Sequence, residues 1–268
     1  MCGIAGYLSF KNQPLLNGQG VLNCMSKLLA HRGPDGNGSW INEKNSVGMA
    51  HARLAIIDLS PSAAQPMRGH DNSVISLNGE IYNYLELKES LKGKWDFSTK
   101  SDTETVLAAY HKYGDASLAH LRGMFSFALW DDKNQRLFCA RDRFGIKPFY
   151  YTIVEDVFYF ASEAKALLPI IPEIETDGDA LAEYLTFNFV IGENTLFKGI
   201  KQLLPGYSLV IENNQIKKNC YWDINYKIDW DHRKEWFQEK LKFLLNDSIR
   251  LHLRSDVPVG AYLSGGID

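Results

Sequence analysis

The chain opens Met1-Cys2-Gly3-Ile4-Ala5-Gly6, and this start constrains its fold more than any other stretch. A cysteine directly behind the initiator methionine becomes the first residue once that methionine is removed, and a small side chain at this position makes removal expected. Thiol and free α-amine then sit on one residue, with ordinary pKa values of about 8.5 and about 7.7–8.0. That is a nucleophile with its own base near neutral pH. A fold that uses it must anchor its own terminus, and Ile4 and Leu8 read as the strand residues that do so. Gly3 and Gly6 read as positions where backbone can approach a substrate. An ordinary buried cysteine at a strand start is the competing reading, and the rest of the chain has to decide.

At 268 residues the chain suits one large or two modest domains. Its 45% hydrophobic and 23% charged residues allow a sizeable core. The net charge of −3 gives no support for a nucleic-acid or membrane surface. A basic leader and an apolar run of about 18 residues are both missing, so a cytoplasmic location is the default expectation. Cys2, Cys24, Cys139 and Cys220 are widely spaced, without a C-x-x-C pair. Neither a disulfide framework nor a zinc site is indicated.

Apolar spacing at Val21, Leu22, Met25, Leu28 and Leu29 predicts a helix over 20–30, running into the turn-forming cluster His31-Arg32-Gly33-Pro34-Asp35-Gly36. Strands are expected at 47–57 and 73–78. Ser101-Asp102-Thr103-Glu104 reads as a capping box opening a helix through Tyr113, with Gly114 just past its end. Hairpins follow at 124–130 with 136–140, at 149–154 with 157–161, and at 207–212 with 215–221, the last turning at Asn213-Asn214. A short helix is expected near 179–186. Residues 224–233 read as a linker. Beyond it, Phe237, Leu241, Leu244, Leu245 and Leu251 mark a long amphipathic helix, and 257–263 a short apolar strand.

A nucleophilic thiol needs an oxyanion stabiliser and a means of holding substrate. Asn78-Gly79-Glu80 closes a hydrophobic strand, where an Asn amide and a Gly N–H can form an oxyanion hole; a plain strand-ending turn is the alternative. Arg53 could equally be a solvated strand arginine, and Asp102 could simply serve a helix N-terminus. His31, alone beside Arg32 in a turn, is not assigned as a base, and Cys139 reads as a small buried hydrophobe.

In order along the chain come Cys2-Gly3-Ile4-Ala5-Gly6, His31-Arg32-Gly33-Pro34-Asp35, Arg53-Leu54 through Asp58, and Asn78-Gly79-Glu80-Ile81-Tyr82-Asn83. Ser101-Asp102-Thr103-Glu104, Arg141-Asp142-Arg143-Phe144-Gly145-Ile146-Lys147-Pro148 and Phe160-Ala161-Ser162-Glu163 continue the series. Taken together these resemble class II glutamine amidotransferases, specifically the glutamine-hydrolysing asparagine synthetase family. The resemblance implies an α+β architecture, the four-layer αββα N-terminal-nucleophile hydrolase fold, followed by the first helix and strand of a truncated α/β synthetase domain. It implies domains at 2–223 and 234–268 joined by the linker. It implies Cys2 as nucleophile and Asn78 with Gly79 as oxyanion hole. Arg53 would grip the glutamine α-carboxylate, Glu80 and Asp102 would face the α-ammonium, and Leu54, Ile56 and Ile57 would line the same pocket. The segment 141–148 is expected to order this site structurally.

At the far end, Leu263-Ser264-Gly265-Gly266-Ile267-Asp268 resembles the pyrophosphate-binding loop of ATP-pyrophosphatase synthetases, in which Leu263, Ser264, Gly265, Gly266 and Asp268 would be nucleotide-binding. The family's next serine, downstream helix and acidic metal ligands are not in this chain. The expectation is a ligase of the asparagine-synthetase type, present here as its glutaminase half, with ATP and Mg²⁺ needed only by the complete synthetase and no metal in the glutaminase half. Aspartate would be the ammonia acceptor, and a homodimer is compatible with the family. Amidation of another carboxylate such as a sugar acid, delivery of ammonia to a phosphosugar or to phosphoribosyl pyrophosphate, and a non-catalytic module are the alternatives. The terminal loop argues against phosphosugar-type acceptors.

Overall fold

The computed structural model describes residues 1–262 and 265. In chain order it contains β1 (Gly3–Ser9), α1 (Gly18–Leu29), β2 (Gly36–Ile41), β3 (Val47–Arg53), β4 (Met67–Arg68), β5 (Val74–Ile81), α2 (Tyr84–Ser90) and α3 (Asp102–Tyr113). There follow β6 (Gly123–Asp131), β7 (Arg136–Arg141), β8 (Tyr150–Val154), β9 (Val157–Ala161), α4 (Gly178–Phe187), β10 (Lys201–Gln202), β11 (Tyr207–Glu212), β12 (Gln215–Cys220) and α5 (Lys234–His252).

The twelve strands form two six-stranded sheets, ordered β10-β8-β9-β1-β3-β2 and β12-β11-β7-β6-β5-β4. Alternation along the strands explains why they stack. Every residue of β1 is buried, because its two faces meet different cores. Ile4 and Leu8 join Val47, Met49, Phe158 and Phe160 against Val74, Ala128, Trp130, Leu137 and Leu209 of the other sheet. Ala5 and Tyr7 face the opposite way, onto Leu22, Met25 and Leu29 of α1. In β6, Ala128 and Trp130 point between the sheets, whereas Phe125, Phe127 and Leu129 pack beneath Leu87, Val106, Leu107 and Tyr110 of α2 and α3. The layer order is therefore α–β–β–α, the architecture expected. Each fully buried Phe in these layers contributes roughly 1.5–3 kcal/mol. Cys139 is fully buried among them, and burial pushes its thiol well above the ordinary range.

Several local expectations need correcting. Strand β3 stops at Arg53, and 54–60 forms a loop because Arg53 donates to the carbonyls of Ser60 (3.0 Å) and Asp58 (2.5 Å), turning the chain back on itself. Ser101 caps α3 through Thr103 N–H, but Glu104 does not complete a capping box. Its carboxylate instead accepts from Ser98 N, Thr99 N, both their hydroxyls and Trp95 Nε1, binding the preceding loop. Gly3 and Gly6 are not spacers for substrate. A Cβ on Gly6 would lie 2.4 Å from Phe160 and 2.5 Å from the Gly48 carbonyl, and one on Gly3 would press on Leu29, so both serve packing.

The expected C-terminal strand is also missing: 257–262 is irregular, and among the described residues no strand pairs with it to satisfy its backbone groups. Helix α5 is present. Its last turn docks through Leu251, through the ring contact of His252 with Tyr82 at 4.0 Å, and through Arg122–Asp247, while Leu241 and Leu244 stay exposed.

Candidate active site

The site lies where the start of β1, the end of β3, the end of β5 and the N-terminus of α3 converge. There Cys2, Arg53, Leu54, Ile56, Ile57, Asn78, Gly79, Glu80, Ser101, Asp102 and Lys147 line one cavity of about 150 Å³. That is small-metabolite scale, below the roughly 300–1,000 Å³ of sites for drug-sized ligands. Every residue proposed for glutamine from sequence is thus on the wall of a single cavity.

Cys2 is partly buried, with Sγ 3.4 Å from Leu54 N, which donates to it, and 3.5 Å from Leu54 O. Burial pushes its thiol above the ordinary range, while the Leu54 N–H and neighbouring cations pull the other way. Its main chain is fixed by Arg32, whose Nε donates to Cys2 O at 2.8 Å and whose Nη1 pairs with Glu163 at 2.8 Å. Glu163 also takes His31 and Lys165; against the upward push of burial, hydrogen bonds from Arg32, Lys165 and His31 hold it down at about 2. His31 therefore belongs to a structural ion cluster. Ser162 locks the next residue pair, its Oγ accepting from Ile4 N and its N–H donating to Ile4 O. With Met1 retained, the free amine belongs to that residue at the cavity mouth, and burial lowers its pKa.

Asn78 is fully buried in β5, yet neither Nδ2 nor Oδ1 has a partner among the described residues. An unpaired buried amide costs about 1–3 kcal/mol, so its presence at a cavity wall needs a reason beyond packing. The adjoining Gly79 has φ of +152°, a conformation that L side chains rarely adopt, and a Cβ there would lie 2.1 Å from the Met124 carbonyl. Glycine is required here by both space and conformation.

Two carboxyls face these donors. Asp102, 5% exposed at the first turn of α3, accepts from Ile81 N at 2.9 Å, and burial raises it to about 6. Glu80 is likewise pushed up by burial, with Lys147 opposing. Capping and cavity lining coexist, because Ser101 supplies the cap and leaves Asp102 turned towards β5. Arg53 spends two of its five donors on the 54–60 loop, which leaves three for a ligand. It is not a solvated strand arginine.

Two contributors escaped the sequence reading. Arg32 was visible only as part of a turn motif. Lys147 was read as part of a structural segment, although an unmatched lysine inside 141–148 was the available signal. The remaining expected site residues, Leu263, Ser264, Gly266 and Asp268, lie outside the described residues. Gly265 is described, but no other residue of the expected phosphate loop is.

The comparisons add ancestry to this geometry. A family model described as glutamine amidotransferase domain matches residues 1–222, and one described as asparagine synthase matches 240–268. The chain is 40% identical over its full length to asparagine synthetase [glutamine-hydrolyzing] 1 of Bacillus subtilis, covering 42% of that protein. It is 38% identical over its full length to a putative asparagine synthetase [glutamine-hydrolyzing] 2 of Methanocaldococcus jannaschii, covering 55% of it, and 38% identical to the amidase chry2 of Gibberella zeae, covering 41%. The chain thus spans about half the length of these relatives. Among solved structures it shares the fold of the glutamine phosphoribosylpyrophosphate amidotransferase from B. subtilis, with a TM-score of 0.61 at 19% identity, over 82% of this chain and 49% of that one. A cysteine at position 2, a substrate-sized cavity and a family model spanning residues 1–222 agree: the chain belongs to the glutamine amidotransferase domain family.

Proposed function

We propose that residues 2–223 hydrolyse glutamine and that 224–233 links them to the start, at 234–268, of a synthetase domain that uses the ammonia. Once Met1 is removed, the Cys2 amine takes the thiol proton and Sγ attacks the side-chain carboxamide carbon. The C–O π pair moves onto oxygen, and that oxyanion takes hydrogen bonds from Asn78 Nδ2 and Gly79 N–H. The C–N bond then breaks as the α-ammonium of Cys2 returns its proton to nitrogen, releasing ammonia and leaving a γ-glutamyl thioester. Water adds to the thioester, giving glutamate and restoring the thiol. Arg53 holds the substrate carboxylate; Glu80 and Asp102 hold its ammonium; Leu54, Ile56 and Ile57 flank its aliphatic part.

The observation carrying this reading is the unpartnered, fully buried Asn78 amide in the cavity that contains Cys2. In the complete protein ATP with Mg²⁺ would activate an acceptor carboxylate, and aspartate would give asparagine. Apart from Gly265, the residues resembling an ATP loop lie outside those described, and no step is routed through ATP.

Glutamate release from glutamine by the purified chain, compared with Cys2→Ala, tests the proposal. Release by the wild type alone is expected, from protein whose intact mass lacks Met1. Equal release by both proteins would overturn it.

A further inference from the structure

Lys147 is a buried cation whose ammonium has no hydrogen-bond or ion-pair partner among the described residues, and it lines the same cavity as Cys2 and Glu80. It is 5% exposed, a degree of burial that lysine rarely reaches without a partner. The surrounding turn is built to hold it there. Asp142 accepts from Phe144 N (3.1 Å), Ile146 N (3.0 Å) and Lys147 N (2.9 Å), and Arg141 donates to Lys147 O (2.9 Å) and Gly145 O (2.8 Å). Ser126 Oγ fixes the next carbonyl, that of Pro148, at 3.0 Å. A rigid turn that holds a lysine without a side-chain partner on the wall of a reactive cavity points to a role beyond packing.

We propose that Lys147 is a positioning residue of the site, a fixed cation that makes the buried Cys2 thiolate easier to form. The proposal rests on the reading of Cys2 as nucleophile. The charges around it are few. Cys2 meets the N-terminal amine, Asp102 from α3, Lys147 from the β7–β8 turn and Arg32, whose Nε donates to its carbonyl; Lys147 meets Glu80 from β5, Arg32 from the segment after α1, Asp142 and Cys2 itself. Of these, Lys147 favours the charged thiolate, and with Arg32 it favours the uncharged form of the N-terminal amine, which belongs to Met1 until that residue is removed. Glu80 and Cys2 in turn favour its own charged form against burial, which lowers its pKa.

The test is the pH profile of Cys2 alkylation by iodoacetamide, read by peptide mass spectrometry on wild type, Lys147→Met, Lys147→Gln and Lys147→Arg. The buried Cys139 reports opening of the core and the exposed Cys24 reports general reactivity. Loss of a cation from the wall of the same cavity should raise the apparent pKa of Cys2 by about one unit. At pH 7 the reaction should slow by only about three- to fourfold, because a more basic thiolate attacks faster. Lys147→Arg should stay near the wild type. Profiles that coincide for wild type and both neutral variants would overturn the proposal. So would an Arg variant displaced as far as Met, a rise in KM for glutamine with alkylation unchanged, or labelling of Cys139 in both neutral variants, which would make the lysine a structural cation. Failure of the glutaminase reading would look different: Cys2→Ala would release glutamate as fast as wild type, whatever the alkylation profiles.

Discussion

Replacing Asp102 by Asn should make the protein more stable while taking away its substrate. The carboxyl of Asp102 is buried at the cavity wall, and burial raises it from 3.8 to about 6, even though Ile81 N donates to it. Below about pH 4 it is protonated in folded and unfolded chains alike and affects stability little. Between about pH 4 and pH 6 the unfolded chain gives up this proton while the folded one keeps it, so stability falls as pH rises; above pH 6 the loss is complete. At about 1.36 kcal/mol per pKa unit, the shift removes about 3 kcal/mol at pH 7.5 and about 1.5 kcal/mol at pH 5. Asparagine of the same shape retains an oxygen for Ile81 N and carries no charge to desolvate. Urea unfolding of the two proteins should show the variant ahead by about those amounts, with the gap shrinking towards pH 5. Glutamine hydrolysis should fall at the same time, because the neutral amide no longer faces the substrate ammonium. In the wild type, KM should climb as pH drops below about 6, and in the variant it should be high and flat. A gap that does not change between pH 5 and 7.5, or a variant less stable at both, would refute the assignment of a strained charge to Asp102.

Three further outcomes follow from the same geometry. Asn78→Ala should lower kcat by about 10²–10³, the usual loss for one oxyanion donor, yet leave thermal stability unchanged or raised because a buried unpaired amide is removed; a fall in Tm with kcat intact would show a structural amide. Gly79→Ala should destabilise by several kcal/mol in urea, since its Cβ would sit 2.1 Å from the Met124 carbonyl at a φ of +152°. Asp256→Ala should raise KM for glutamine several-fold with little change in kcat: Asp256 Oδ2 accepts from Asp58 N at 2.7 Å and its N–H donates to Ile56 O at 3.0 Å, so it straps the 54–60 loop that lines the cavity. Unchanged KM in steady-state assays would mean the loop holds its shape alone.

Much of this fold could be read from local pattern. The helix of α3 announced itself through Ser101 and Gly114, and the hairpin at Asn213-Asn214 through two residues that both adopt positive φ, 51° and 60°. Cys2, Arg53, Asn78, Gly79, Glu80 and Asp102 could be named from motif order, since each motif sits at an element end facing one cavity. What stayed hidden depends on distant partners. The use of Glu104 on Ser98, Thr99 and Trp95 rather than on its own cap is settled by the fold of the preceding loop. The packing role of Gly6 depends on Phe160, brought alongside only by β1–β9 pairing. Lys147 was legible only as part of a structural segment, because the way Asp142 and Arg141 fold that segment is set by backbone partners. The strand expected over 257–263, of which 257–262 are described, had the right composition, but composition does not supply a neighbour to pair with.

The central claim is that Cys2 forms a covalent bond to glutamine inside this cavity. Acid quenching of the purified protein during turnover, followed by peptide mass spectrometry, measures it directly. A γ-glutamyl adduct on the peptide beginning at Cys2, absent from Cys2→Ala and accumulating before steady-state glutamate release, is the predicted result. Glutamate release at the wild-type rate with no adduct on Cys2 at any quench time, and the same rate in Cys2→Ala, would contradict it.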